Sequence, residues 1–154
     1  MNSKQMIRNS VFVALSALAG CSSMNGMLHG TPNTADLALR SSPDIPAAQG
    51  RLAVKGSDGP NQVVSVAVQH MAPASKVRAG ATSYVVWLQP SGAKDPINMG
   101  ILTVDKELKG TLEFKTPFQQ FDVFVTAEAS PLNQAPSEQK LLTASVDLPG
   151  HAIR

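Results

Sequence analysis

From Arg51 onward, apolar and polar residues alternate in short bursts separated by Gly, Pro, Asn and Asp. Val64, Val66 and Val68 fall on one side of such a burst, and Ser65, Ala67 and Gln69 on the other. Phe121, Val123 and Val125 alternate in the same way with Asp122, Phe124 and Thr126, and Leu112 and Phe114 with Thr111, Glu113 and Lys115. A period of two is that of a half-buried β-strand, whose successive side chains point to opposite faces. The pattern predicts strands over residues 51–55, 63–70, 83–89, 98–104, 110–114, 121–127 and 141–148.

None of the gaps between these strands contains an amphipathic helix long enough for a parallel crossover, so the pairing is expected to be antiparallel. Residues 105–110 (Asp-Lys-Glu-Leu-Lys-Gly) and 91–96 (Ser-Gly-Ala-Lys-Asp-Pro) read as hairpin loops. Seven strands in about 100 residues suit a single all-β domain, an immunoglobulin-like antiparallel β-sandwich. Trp87, flanked by Val86 and Leu88, would be its central packing residue. No disulfide can support it, because the chain has one cysteine, Cys21.

Ahead of the strands, residues 22–50 are rich in Ser, Pro, Asn, Ala and Gly, and Pro32, Pro43 and Pro46 interrupt any helix. This composition reads as a flexible tether. The apolar patch over residues 35–39 is too short to change that reading. The expected organisation is therefore a leader over 1–20, a tether over 21–50 and a β-sandwich over 51–154.

The leader has a positive start, Lys4 and Arg8, then the apolar run from Val11 to Ala19. That layout is an export signal. The run is about half the ~20 apolar residues that a membrane-spanning helix needs. It closes on Leu18-Ala19-Gly20-Cys21, which resembles the lipobox of bacterial lipoproteins. The resemblance implies cleavage before Cys21, diacylation of its thiol, acylation of its new amine with chains such as palmitate, and anchoring to the cell membrane. Otherwise Cys21 would be a free reactive thiol on an exported chain, a state usually avoided there. Ser22, where an Asp would favour inner-membrane retention, points to the outer membrane facing the periplasm.

Charge narrows the partners. Removing residues 1–20 takes away Lys4 and Arg8 and no acid, leaving 11 bases beside 11 acids. The mature chain thus lacks the basic footprint of a nucleic-acid binder and any polybasic stripe. The remaining partner classes are the membrane, through the lipid, and an envelope protein or polymer.

Tyr84-Val85-Val86-Trp87, Asn98-Met99-Gly100, the run Phe121 to Glu128, Pro131 and Pro136-Ser137 together resemble the extracytoplasmic domain of anti-sigma-K (RskA-type) factors over roughly residues 80–148. In that family a strand ending in Thr-x-Glu-Pro precedes a Pro-Thr/Ser turn and a last apolar strand; here Ala129 and Ser130 separate Glu128 from Pro131. The resemblance implies an exported sandwich used for sensing or contact, with no catalytic residues. Anti-sigma activity does not carry over, because the family's cytoplasmic domain and membrane span have no counterpart here.

Chemistry-bearing residues are sparse. His29, His70 and His151 lie far apart in sequence, without the close spacing of a local metal site. A copper carrier assembled from His70, Met71, Met99 and His151 is the alternative reading, since thioether and imidazole ligands select copper. No nucleophile motif is present, so the expectation is a non-enzyme with no cofactor. Two residues stand out as candidate partner contacts. Phe118 sits at the turn after Thr116-Pro117, and Glu128 ends an otherwise apolar strand, where pairing with Lys140 or another base is expected.

Overall fold

The computed structural model describes residues 35–57 and 59–148; the expected leader over 1–20, Cys21, His29 and His151 lie outside them. All seven expected strands are present, and an eighth precedes them. In chain order they are β1 (Ala35–Ser41), β2 (Gln49–Gly56), β3 (Gln62–Gln69), β4 (Ser83–Pro90), β5 (Ile97–Leu102), β6 (Gly110–Thr116), β7 (Gln120–Glu128) and β8 (Leu142–Asp147), with a one-turn helix α1 (Ala74–Val77) between β3 and β4.

Every strand pair is antiparallel, and the order is β5-β4-β7-β8-β1-β2-β3-β6. The first five residues of β1 pair with β2, from Ala35 opposite Val54 to Leu39 opposite Gly50. Its last two, Arg40 and Ser41, pair with Thr143 and Leu142 of β8. One strand therefore joins two ladders. The two ends of the order, β5 and β6, lie against each other, and a lone bridge between Val104 and Gly110 links them. The sheet nearly closes into a barrel.

Three expectations change, the last of them at Trp87. The 105–110 segment does make a tight turn, with the Asp105 N–H donating to the Lys109 carbonyl at 2.7 Å. The strands on either side of it separate, however, β5 pairing with β4 and β6 with β3. The longer ladders outweigh the local hairpin. The second change is the domain boundary: β1 and the turn after it fall inside the stretch read as tether. Leu39, Ile45 and Ala48 are all buried in the core, so the folded part begins at or before residue 35 rather than at 51.

The interior is filled as the alternation predicts. In β3, Val64, Val66 and Val68 are buried while the residues between them are half-exposed. Burial of each such side chain contributes roughly 1.5–3 kcal/mol. Gly50 permits the close fit of β1 on β2, because a Cβ there would lie 2.6 Å from Leu39 Cδ1.

β4 and β7 depart from alternation. Six of the eight residues in β4, and the last six of β7 from Val123 to Glu128, are buried. These two strands are covered on both faces. One face meets the main core through Tyr84, Val86, Leu88, Val123 and Val125; the other carries a separate cluster of Val85, Trp87 and Phe124. Trp87 is thus fully buried but not central. It packs on the outer face of the sheet, opposite the interior where a sandwich tryptophan was expected.

Candidate functional site

Side chains that share a strand face recur every second residue, so Phe124, Thr126 and Glu128 of β7 lie in one row. Trp87 and Val85 of the neighbouring β4 sit opposite Phe124 and Thr126. A buried indole N–H needs an acceptor. Trp87 Nε1 donates to Thr126 Oγ1 at 2.8 Å, and that hydroxyl donates to Glu128 Oε1 at 2.5 Å.

The segment over residues 129–141 folds back across this row and completes the network. Ser137 donates its backbone N–H to Glu128 Oε1 at 2.7 Å, and Asn133 Nδ2 donates to Oε2 at 3.1 Å. Asn98 of β5 holds the same segment from the far side, its Nδ2 donating to the carbonyls of Pro131 and Asn133 at 3.0 Å each. Arg78, just after α1, ion-pairs with Glu128 Oε2 at 3.6 Å and donates to the Ala127 carbonyl at 2.7 Å. Lys140 does not pair with Glu128; its Nζ lies 4.2 Å from the centre of the Phe124 ring, a cation–π contact.

Glu128 is 1 % exposed. Burial on its own raises a carboxyl's pKa, but the Ser137 N–H, the Thr126 and Ser137 hydroxyls and the Asn133 amide together hold it below its usual range. Both oxygens are engaged by donors. Such a carboxylate has no free lone pair for proton transfer and no surface for a partner, so Glu128 is a clamp on the covering segment rather than a contact residue. Sequence reasoning gave Arg78 and Asn133 no role, and singled out Asn98 and Ser137 only as part of the family resemblance. The signals available were the indole N–H on a strand of buried character and the Thr126-x-Glu128 spacing on one face.

Phe118 does lie on the surface. Phe114 and Phe121 are buried in the core, whereas Phe118, in the turn between β6 and β7, is 37 % exposed. Of the four residues of the copper reading, three lie among the described residues. Met71 is fully buried in the main core, Met99 packs against that core, His70 is exposed at a left-handed φ of 55°, and His151 lies outside the described residues. Among the described residues, no three His, Cys, Asp or Glu side chains cluster together.

Several concavities open on the surface of the described residues, two of them beside the elements just described. A groove of about 650 Å³ runs between β5 and the covering segment, with Ile101 and the 85 % exposed Leu132 on its walls. A more polar cleft of about 440 Å³ lies where the β4–β5 turn meets the start of β7 and the end of β8, and it includes Asp122 and Asp147. Gln120 Nε2 donates to Asp147 Oδ1 there at 2.9 Å. No protein-family model matches the chain, and no curated protein matches it.

Proposed function

We propose that this chain is a lipid-anchored β-domain of the bacterial cell envelope that binds or senses another envelope component without catalysing a reaction. The observation that carries the reading is the sequence Leu18-Ala19-Gly20-Cys21 behind a short apolar run and two basic residues. The acyl chains on Cys21 hold the protein at a membrane, the outer membrane facing the periplasm, far more firmly than a single chain would.

The finer fold within this proposal is an immunoglobulin-like sandwich of the kind that residues 80–148 resemble. The pairings of β3 with β6 and of β4 with β7 support it, because the chain crosses between two groups of strands in the manner of a Greek key. A binding role is supported by the state of the carboxylate that stood out in the sequence: Glu128 is consumed by structural hydrogen bonds, which leaves surface recognition to exposed apolar residues and loops.

Cells fed labelled palmitate test the anchor. Wild-type protein is expected to take up label and to be cleaved before Cys21, while Cys21→Ser remains unlabelled and uncleaved. Equal label in both overturns the proposal. Covalent capture of neighbours from intact cells, compared between the two proteins, then identifies the component that is bound.

A further inference from the structure

β1 belongs to two ladders, and where it passes from one to the other it leaves a slot in the wall of the fold. It pairs with β8 only at Arg40–Thr143 and Ser41–Leu142, and from Leu39 back to Ala35 it pairs with β2 instead. β8 runs on to Asp147 with β7 along one side; past Thr143, among the described residues, no strand pairs with its other side. β1 and β8 part in this direction. A concavity of about 310 Å³ opens between them, with Leu37, Ala38 and Arg40 on one rim and Thr143, Ala144 and Ser145 on the other.

Both rims present main-chain groups. Leu148 donates its N–H to the Gln119 carbonyl at 3.0 Å, toward β7. Residues of an antiparallel strand face one neighbour and the other in alternation, so the main-chain groups of Val146 and Ala144 also face β7, and those of Asp147 and Ser145 face the slot. On the opposite rim the Ser42 N–H donates to the Leu141 carbonyl at 2.8 Å. By the same alternation Arg40 faces β8, and Ala38 and Asp36 turn their main-chain groups into the slot. The core is thinly covered here. Leu39, next to the junction, is 6 % exposed, whereas Leu37 and Ala35 of β1 and Ala144 of β8 are only partly buried. Charge does not select the occupant: Asp36 is paired with Arg51 at 3.4 Å, and the other two charged side chains of these rims, Arg40 and Asp147, are opposite in sign.

We infer that this slot receives an extended, uncharged segment of a partner protein, which adds to the edge of β8 as a strand and turns an apolar residue at every second position inward over Leu37 and Ala144. Unpaired main-chain groups are met best by another main chain, at the usual strand spacing of about 4.8 Å, and a half-covered core beside them is met by apolar side chains with a period of two. The partner strand continues along β8 the pairing that β1 makes only at Arg40 and Ser41. This rests on the proposed binding role, whose partner it describes, and does not require the lipid anchor.

The test is hydrogen exchange of the full chain in mild detergent, read by mass spectrometry, with and without a capped seven-residue peptide of alternating Thr and Val, a pattern that reads the same in either direction. The peptide is expected to slow exchange several-fold over residues 143–148, saturably and with one peptide per chain. A peptide of alternating Thr and Asn, which lacks the apolar face, should do so far less. Ser145 is exposed and its N–H faces the slot, so Ser145→Pro removes a donor from the edge at a position where a strand tolerates proline. That variant is expected to lose the effect, and Ser145→Ala to keep it. Should Ser145→Pro not fold, Leu37→Lys blocks the slot with an inward charge of the kind that guards natural edges. No slowing over 143–148, or slowing that both blocking variants retain, overturns the inference. Slow exchange there before any peptide is added also overturns it, because the slot would already be filled, by residues 22–34 or, where the slowing grows with protein concentration, by a second copy. The binding role falls separately, if neighbour capture from intact cells yields no partner.

Discussion

The indole N–H of Trp87 and the hydroxyl of Thr126 meet at 2.8 Å on the outer face of the sheet, in a layer separate from the main core. The hydroxyl accepts from the indole and donates to Glu128, so it is the joint between an apolar cluster and a buried charge. Thr126→Val keeps the shape but leaves the indole N–H without its acceptor and Glu128 with one donor fewer. The expected loss is about 1–3 kcal/mol, the cost of orphaning buried polar groups. Trp87→Ala should lose about 3–5 kcal/mol, as for other buried large aromatics. Trp87 is the only tryptophan, so its emission reports on this layer alone. Blue-shifted emission is expected in the folded protein, and urea melts of the two variants check the energies.

Glu128 should make the protein acid-sensitive. Its folded pKa lies below the ordinary 4.5, so the unfolded chain takes up the proton first as the pH falls. The stability it contributes is complete above pH 4.5 and is lost as the pH drops from there through the folded value. Glu128→Gln keeps most of the shape and removes this titration, so its stability should vary less between pH 5 and pH 3 than that of the wild type. Glu128→Ala, which leaves Arg78 and the Ser137 N–H without their partner, should cost about 3–5 kcal/mol near neutrality. Paired denaturant melts across this range measure both effects.

Much of this fold is legible in the period-two pattern, because one buried face writes itself into a strand's sequence. β3 shows this plainly, with Val64, Val66 and Val68 inside. The pattern fades where a strand is covered twice: Val85, Trp87 and Phe124 read as ordinary core residues, although they pack away from the core. The clamp on Glu128 was less legible still, since Arg78 lies on a different element and Asn133 and Ser137 sit in a segment without periodicity. Nothing local records that the segment folds back. β1 was hidden for the opposite reason. Leu37 and Leu39 alternate with Asp36, Ala38 and Arg40, but two leucines among Pro- and Ser-rich neighbours give too short a signal. Pairing between β5 and β6 was over-read from a turn that does exist, because ladder partners are chosen by the whole sheet.

Alkaline pH should destabilise the fold through Tyr84, the only tyrosine. Its ring is buried, its hydroxyl donates to the Ala72 carbonyl at 2.5 Å, and burial pushes its pKa from 10.0 up to about 12. A raised folded value means the unfolded chain loses the proton first. The stabilisation is therefore full below pH 10 and falls away between pH 10 and about 12. A shift of this size corresponds to roughly 2–3 kcal/mol. Tyr84→Phe removes the titration while losing one hydrogen bond, worth about 1 kcal/mol. The gap between wild type and variant should narrow or reverse as melts are carried from pH 8 to pH 11.5. A constant gap would mean that Tyr84 ionises as freely in the fold as outside it.

The position of β1 predicts where the chain can be shortened. β1 is the strand that joins the two ladders, pairing with β2 over Ala35–Leu39 and with β8 at Arg40 and Ser41. Protein beginning at Gly50 would lose that joint together with the buried Leu39, Ile45 and Ala48, exposing the edges of both β2 and β8. Unpaired edges of this kind invite association with other chains. Removal of two large aliphatic side chains alone forfeits roughly 3–6 kcal/mol of burial, comparable to the ~5–15 kcal/mol by which domains of this size are stable. Protein beginning at residue 34 should unfold cooperatively and remain monomeric, and protein beginning at residue 50 should be unfolded or aggregated. Gly50→Val offers the same test without shortening the chain, because its side chain would collide with Leu39 and push β1 off the sheet. Circular dichroism melts and size-exclusion chromatography of the three proteins decide it; a cooperative, monomeric chain starting at Gly50 would show that β1 is dispensable.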